Sequence, residues 1–220
     1  RMEGEKYISG DFIGTTLGWF QASFIAIRQD KEQRPVSVIF AVRSIEYEKR
    51  KEEQLLRSST TDELTRCYNR RAYEQDIKKL TADKKFLYLT ADVNGLKAVN
   101  DRLGHAAGDE LLCGVAGCMK QSFDDYGKVY RVGGDEFVTI LFTDEEQFGI
   151  IKQNFDLLVD NWSGDTVPHM SVSCGAVWSD ERQWESVREI AKLADQRMYE
   201  KKAEHYARRK SDFQNWMYKR

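Results

Sequence analysis

The residues able to do chemistry lie in two acidic stretches, Asp92-Val93-Asn94-Gly95-Leu96-Lys97 and Arg131-Val132-Gly133-Gly134-Asp135-Glu136-Phe137. Asp92 closes the apolar run Phe86-Leu87-Tyr88-Leu89-Thr90-Ala91, where a carboxylate either faces a ligand or caps the next helix. Gly133 and Gly134 precede Asp135 and Glu136 between apolar, β-branched flanks, the pattern of a tight hairpin with a charged tip. Two glycines let the backbone approach a phosphate with no side chain in the way. Adjacent carboxylates offer hard oxygen ligands to a divalent cation that would neutralise that phosphate. Taken alone, the hairpin favours an ordinary turn with solvated acids. Taken with Asp92, it becomes half of an acidic edge for one or two Mg²⁺ (or Mn²⁺) ions beneath a nucleoside triphosphate, as phosphoryl transfer requires.

The surrounding elements must bring these stretches together. Periodicity predicts helices over Asn69–Leu80, Ala106–Phe123, Glu145–Val159 and Trp184 to Lys202, and strands over Lys85–Asp92 and Val167–Trp178. The hairpin strands flank the Gly-Gly pair, at Lys128–Tyr130 and Val138–Phe142. Strand, helix, strand, strand, helix, strand is the α+β, ferredoxin-like βαββαβ order of nucleotide-cyclase and polymerase palms, with helices expected on one face. In such a sheet the carboxyl end of the first strand lies beside the hairpin tip. Asp92 is therefore expected to meet Asp135 and Glu136.

Composition bounds the partners. Of 220 residues, 41% are hydrophobic and 32% charged, which allows one packed domain plus an appendage. A net charge of -2 argues against a broad basic surface for nucleic acid. Cys67, Cys113, Cys118 and Cys174 show no Cys-x-x-Cys spacing, so reduced thiols in the cytoplasm are expected rather than a disulfide framework or zinc site. No run approaches the ~18 apolar residues of a membrane span. The opening Arg1-Met2 leaves an anchor upstream open.

Residues 1–43 contain two strand-like runs, Trp19–Arg28 and Val36–Arg43, that predict a β-hairpin. It resembles the closing hairpin of a PAS-type sensor, or is a plain amino-terminal β extension; alone it would be marginal in water. Residues 44–60 carry Glu46, Glu48, Lys49, Arg50, Lys51, Glu52 and Glu53, a mixed-charge pattern of a linker helix. That helix either pairs with its copy in a dimer or stands alone. Residues 61–210 form the expected catalytic domain. In the tail, residues 211–220, Phe213, Trp216 and Met217 fall at helical spacing and are expected to pack back on it.

From Thr61 onward the chain resembles GGDEF domains, the diguanylate cyclase family. The resemblance rests on ordered motifs: Thr61-Asp62-Glu63-Leu64-Thr65 with Asn69-Arg70-Arg71; Asp92 to Asp101; Gly104-His105 with Gly108-Asp109; Gly133 to Phe137; Ser171 to Gly175; and Ala194-Asp195 with Met198-Tyr199 and Lys202. It implies condensation of two GTP into cyclic di-GMP, with two pyrophosphates released, in a homodimer of facing domains. It implies Asp92, the Val93 carbonyl, Asp135 and Glu136 as metal ligands, with Asp135 and Glu136 catalytic. Asn100 and Asp109 would read the guanine edge; Leu96, Lys97, Gly133, Gly134 and Lys202 would bind the rest of the nucleotide, and Arg131 would brace the turn.

Departures from the family pattern qualify this. The Arg-x-x-Asp product-inhibition motif is replaced by Asp124-Asp125-Tyr126-Gly127, so no inhibition site is expected. Asn94 stands where an acid is usual, and Gly95 where a bulky residue is usual. His205-Tyr206 replaces a Gly-Arg pair, which removes a phosphate-binding arginine unless Arg208 or Arg209 substitutes. The alternatives are a catalytically weak GTP-binding regulator and a product receptor.

Overall fold

The computed structural model describes residues 8–14, 18–29, 31–32, 35–81 and 84–218, with side chains described for 19–22, 31–32, 39, 41–51, 59–81 and 84–207. The chain divides into two units, Arg1–Ser59 and Thr60–Arg220.

In the first unit, β1 (Ile8–Gly14), β2 (Gly18–Gln29) and β3 (Pro35–Ser44) form an antiparallel meander in that order. The expected hairpin is β2 with β3; β1 is an addition. Its glycines and single aspartate hide the strand signal, but its backbone pairs with β2 from Ile8 opposite Phe24 to Gly14 opposite Gly18. Pro35 opens β3, where its missing N–H costs no ladder bond. Helix α1 (Glu46–Thr60) starts where Glu46 accepts from the Trp19 N–H at 3.1 Å and pairs with Arg50 one turn on at 2.9 Å. The side chains of 52–58, on which pairing with a copy would depend, lie outside the described residues.

The second unit runs β4 (Tyr68–Asn69), α2 (Arg70–Ile77), β5 (Leu87–Val93), α3 (Leu96–Leu103), α4 (His105–Phe123), β6 (Gly127–Arg131), β7 (Glu136–Leu141), α5 (Glu145–Asn161), β8 (Val172–Trp178) and α6 (Val187–Tyr218). The five strands lie in the order β4-β6-β7-β5-β8, with β5 antiparallel to both β7 and β8. This is the expected α+β sheet with one short parallel edge strand added.

Helices cover both faces, not one. All seven residues of β5 are buried. Leu87, Leu89, Ala91 and Val93 face α4 and α5, where Phe123 and Phe155 stack at 5.1 Å. Phe86, Tyr88, Val138, Ile140 and Val177 face α2 and α6 through Ala72, Ile190 and Ala194. A strand buried on both sides reads as a continuous apolar run and carries no alternation to count faces by. Each large side chain buried there contributes about 1.5–3 kcal/mol, so both helix layers are held firmly on the sheet.

Other boundaries differ for local reasons. Strand β8 begins at Val172 rather than Val167. Pro168 has no N–H to give a ladder, and Val167 gives its own to Glu110 at 3.0 Å. Helix α3 is an addition to the expected elements, since eight residues carry little periodicity; it is bracketed by Gly95 and Gly104, both at positive φ. Helix α6 continues past Lys202 to Tyr218, since neither glycine nor proline interrupts 187–218. The expected packing of the tail falls on side chains outside the described residues.

Candidate active site

Asp92 is the penultimate residue of β5 and 5% exposed. Its register partner on β7 is Glu136, so these two side chains leave the sheet on the same face. The Val93 N–H donates to the Asp135 carbonyl at 3.0 Å, which pins the hairpin tip to the end of β5. Within the tip, the Val132 and Gly133 N–H groups donate to the Glu136 carbonyl at 3.0 and 3.3 Å. A Cβ at Gly133 would lie 2.6 Å from Glu136 Oε2, whereas one at Gly134 would meet nothing within 4 Å.

Arg131 braces this turn. Its Nη2 and Nε donate to the Gly134 carbonyl at 2.8 and 3.2 Å, and its Nη1 reaches Asp62 at 3.0 Å. Asp62 also accepts from the Thr65 N–H at 2.9 Å and hydroxyl at 2.7 Å. Burial would raise the Asp62 pKa, but the Thr65 donors and the Arg131 guanidinium outweigh it and hold the carboxyl below its ordinary value. Sequence reading found Arg131 and missed its partner, because no spacing rule spans 69 residues.

Helix α6 brings Lys202 Nζ to 2.7 Å from Asp92 Oδ1, an ion pair without the alignment of a hydrogen bond. Burial raises the Asp92 pKa, Lys202 opposes that, and the charge of Asp135 adds to it; the net shift is upward. Burial would lower Lys202, but Asp92 and then Asp135 outweigh it and hold the ammonium above its usual range. Asp92, Asp135 and Lys202 therefore form one electrostatic cluster.

Among the described residues, no three His, Cys, Asp or Glu side chains are grouped to hold a metal ion unaided. That is consistent with Mg²⁺, which is usually held by one or two carboxylates, retains waters and takes substrate phosphate oxygens. The donors that Asp92, Asp135 and the Val93 carbonyl would offer are all hard oxygens, and Asp92 Oδ1 is buried with no aligned hydrogen bond among the described residues, which leaves it open to a metal ion. The residues present fit the ion.

The helix-cap reading of Asp92 is not realised, and Asn100 and Asp109 serve as no cap either. The N-cap of α3 is Gly95 and that of α4 is Gly104, neither with a side-chain cap bond, so Asp92, Asn100 and Asp109 cap neither helix. The first-turn N–H groups of α3 face no side-chain cap, an arrangement that suits an anion. Lys97 is exposed on that turn, and Leu96 is half-buried against the core. Where α3 meets α4, a Cβ on Gly108 would come 1.9 Å from Asn100 Oδ1. That oxygen is buried with no hydrogen-bond partner among the described residues, and Asp109 follows Gly108 at the exposed edge. An orphaned buried acceptor costs about 1–3 kcal/mol, which a ligand N–H would recover. Glu110, next along α4, accepts from the N–H groups of Thr166 and Val167, each at 3.0 Å, and holds that loop to the helix; sequence reading missed it.

An acidic hairpin tip and strand end on a five-stranded α+β sheet define a palm-like domain. The chain belongs to the GGDEF family: the family model for the diguanylate cyclase GGDEF domain matches residues 59–208. It is 36% identical over 148 residues to the probable diguanylate cyclase DgcI of Escherichia coli (strain K12), covering 66% of this chain and 31% of that protein. It is 32% identical over 162 residues to diguanylate cyclase DgcN of the same strain, covering 69% and 39%. The chain thus spans about a third of these relatives' lengths. Among solved structures, the coiled coil and GGDEF domain of DgcB from Caulobacter crescentus, in complex with c-di-GMP, shares the fold with a TM-score of 0.61 and 22% identity, covering 70% of this chain and 86% of that one.

Proposed function

We propose that this protein is a diguanylate cyclase that condenses two GTP into cyclic di-GMP and releases two pyrophosphates. The observation that carries the reading is the buried Asp92 carboxylate sharing one electrostatic cluster with Asp135 and Lys202 at the end of β5. Family membership and the c-di-GMP bound by the DgcB domain support it.

In this mechanism Asn100 and Asp109 recognise guanine: a carboxylate accepts from N1–H and N2–H, and an amide can donate and accept at the base edge. Gly133 and Gly134 let the backbone run beside the phosphates, and Leu96, Lys97 and Lys202 complete the nucleotide site. Asp92, Asp135 and the Val93 carbonyl would hold the divalent ion, with Glu136 beside them; the ion supplies charge neutralisation at the α-phosphate and a lowered pKa for the attacking hydroxyl. Glu136 takes the proton from that ribose 3′-hydroxyl. One domain binds one GTP, so two must face each other with each hydroxyl in line with the other's α-phosphate. Catalysis is then largely positioning.

The three-stranded amino-terminal sheet and α1 serve as an input module in this reading, changing how often two domains meet. Among the described residues no helix is long and apolar enough to cross a membrane, and all four cysteines are free thiols. A cytoplasmic location, where GTP is abundant, follows as part of the proposal. Incubation with GTP and Mg²⁺ followed by nucleotide separation tests it. Cyclic di-GMP is expected, with specific activity rising with protein concentration; bound but unconverted GTP would overturn the enzyme reading in favour of a regulator.

A further inference from the structure

We propose that His205 is a positioning residue for the turn Asn94-Gly95-Leu96, acting through a hydrogen-bonded chain that runs from Ser173 through Asn94 and Ser171 to the imidazole. The inference rests on the cyclase reading in assigning that turn to the nucleotide phosphates.

The chain is continuous. The Ser173 hydroxyl donates to Asn94 Oδ1 at 3.0 Å, and Asn94 Nδ2 donates to Ser171 Oγ at 2.9 Å. The Asn94 N–H donates to the Ser171 carbonyl at 2.9 Å, and Ser171 Oγ lies 3.4 Å from His205 Nδ1. Asn94 is 8% exposed and Ser173 4%, so the amide is buried and both of its ends are used. An aspartate at position 94 could accept from Ser173 but could not donate to Ser171. The asparagine, which stands where the family usually has an acid, therefore sets the direction of the chain: Asn94 Nδ2 donates to Ser171 Oγ and leaves the Ser171 hydroxyl proton for His205 Nδ1.

The three elements joined are those that frame the phosphate site: the β5–α3 turn, the start of β8, and α6. Helix α6 is seated on β8 by close backbone contact, since a Cβ on Gly175 would come 2.1 Å from the Ala194 carbonyl and 2.4 Å from the Met198 N–H nitrogen. Lys202 reaches Asp92 from this helix at 2.7 Å, and His205 follows within one turn. A glycine at 205 could not reach Ser171. With His205-Tyr206 in place of a Gly-Arg pair, the chain gains a tether on the turn that presents backbone N–H groups. Orientation of that turn acts on substrate affinity rather than on the reacting atoms.

The test uses His205→Ala, His205→Asn and His205→Gln, because an asparagine amide falls where Nδ1 lies and a glutamine amide where Nε2 lies. Two quantities are read: backbone hydrogen exchange at residues 94–96 in the free protein, and the KM and kcat for GTP. His205→Ala is expected to speed exchange at 94–96 and raise KM roughly tenfold, the scale of one lost hydrogen bond, with kcat within about twofold. His205→Asn is expected to recover both and His205→Gln neither. Ser171→Ala should reproduce the alanine effects, and the double variant should add nothing, as for residues acting in one chain. Unchanged exchange at 94–96 in His205→Ala, equal recovery by glutamine, or independent addition in the double variant would overturn the proposal. If the parent protein turns over no GTP the cyclase reading fails, while exchange at 94–96 still decides whether His205 holds the turn.

Discussion

Strand β6 has an acidic turn at each end, and the two have opposite fates. At Asp124-Asp125-Tyr126-Gly127 both aspartates are exposed, and the turn is closed by backbone bonds: Tyr126 N–H to the Phe123 carbonyl at 3.0 Å and Phe142 N–H to the Tyr126 carbonyl at 2.8 Å. At Gly133 to Glu136 a second carboxylate-bearing strand, the Arg131 brace and a lysine from α6 converge. The glycines differ too. A Cβ at Gly127 would fall 1.9 Å from the Ile140 carbonyl, while Gly134 has open space around it. Density of acids does not make a site; convergence of separate elements on one carboxylate does.

The largest effects should fall at the second turn. Asp92→Ala or Asp135→Ala is expected to lower cyclic di-GMP formation about 10³-fold, the several kcal/mol that a correctly held metal supplies, whereas Asp125→Ala leaves it within about twofold. Chelation of divalent ions should abolish turnover as completely while leaving the urea midpoint of the protein unchanged. Equal losses from Asp92 and Asp125 variants would erase the distinction between the turns.

Stability should show the reverse asymmetry between the glycines. Gly127→Ala forces β6 away from β7 and is expected to cost about 2–3 kcal/mol in urea unfolding, against about 0.5 kcal/mol or less for Gly134→Ala. Next comes the brace. Arg131→Gln is expected to cost about 1–2 kcal/mol at neutral pH, for a partly buried charged hydrogen-bond set. Asp62 has a folded pKa below its unfolded value, so its contribution is present above the unfolded pKa, near 3.8, and is lost as pH falls through the folded one. Unfolding followed from pH 6 to below pH 3 should show a steeper acid loss in the parent than in Arg131→Gln. The smallest effect is expected from product: added cyclic di-GMP should leave turnover within about twofold, because Asp124 stands where the feedback motif has its arginine and Gly127 where it has its aspartate.

The acidic edge was legible in the sequence because glycines and carboxylates are read from local pattern, and the order of elements then placed Asp92 beside the tip; register confirms that Asp92 faces Glu136. The rest of the site depends on long-range contacts that leave no local trace. Asp62 with Arg131, Glu110 with the 166–167 loop, and Asn94 with Ser171 and Ser173 each join residues more than fifty positions apart. Helix α3 is too short to show periodicity, and β5, apolar on both faces, concealed the second helix layer.

The central claim is that Asp92 and Asp135 hold one divalent ion. A crystal structure with Mn²⁺ and an unreactive GTP analogue, with manganese located by anomalous scattering, tests it most directly. The expected result is an ion bound by Asp92, Asp135 and the Val93 carbonyl, with Lys202 moved from Asp92 to the phosphates. Manganese bound elsewhere, with Lys202 still paired to Asp92, would contradict it.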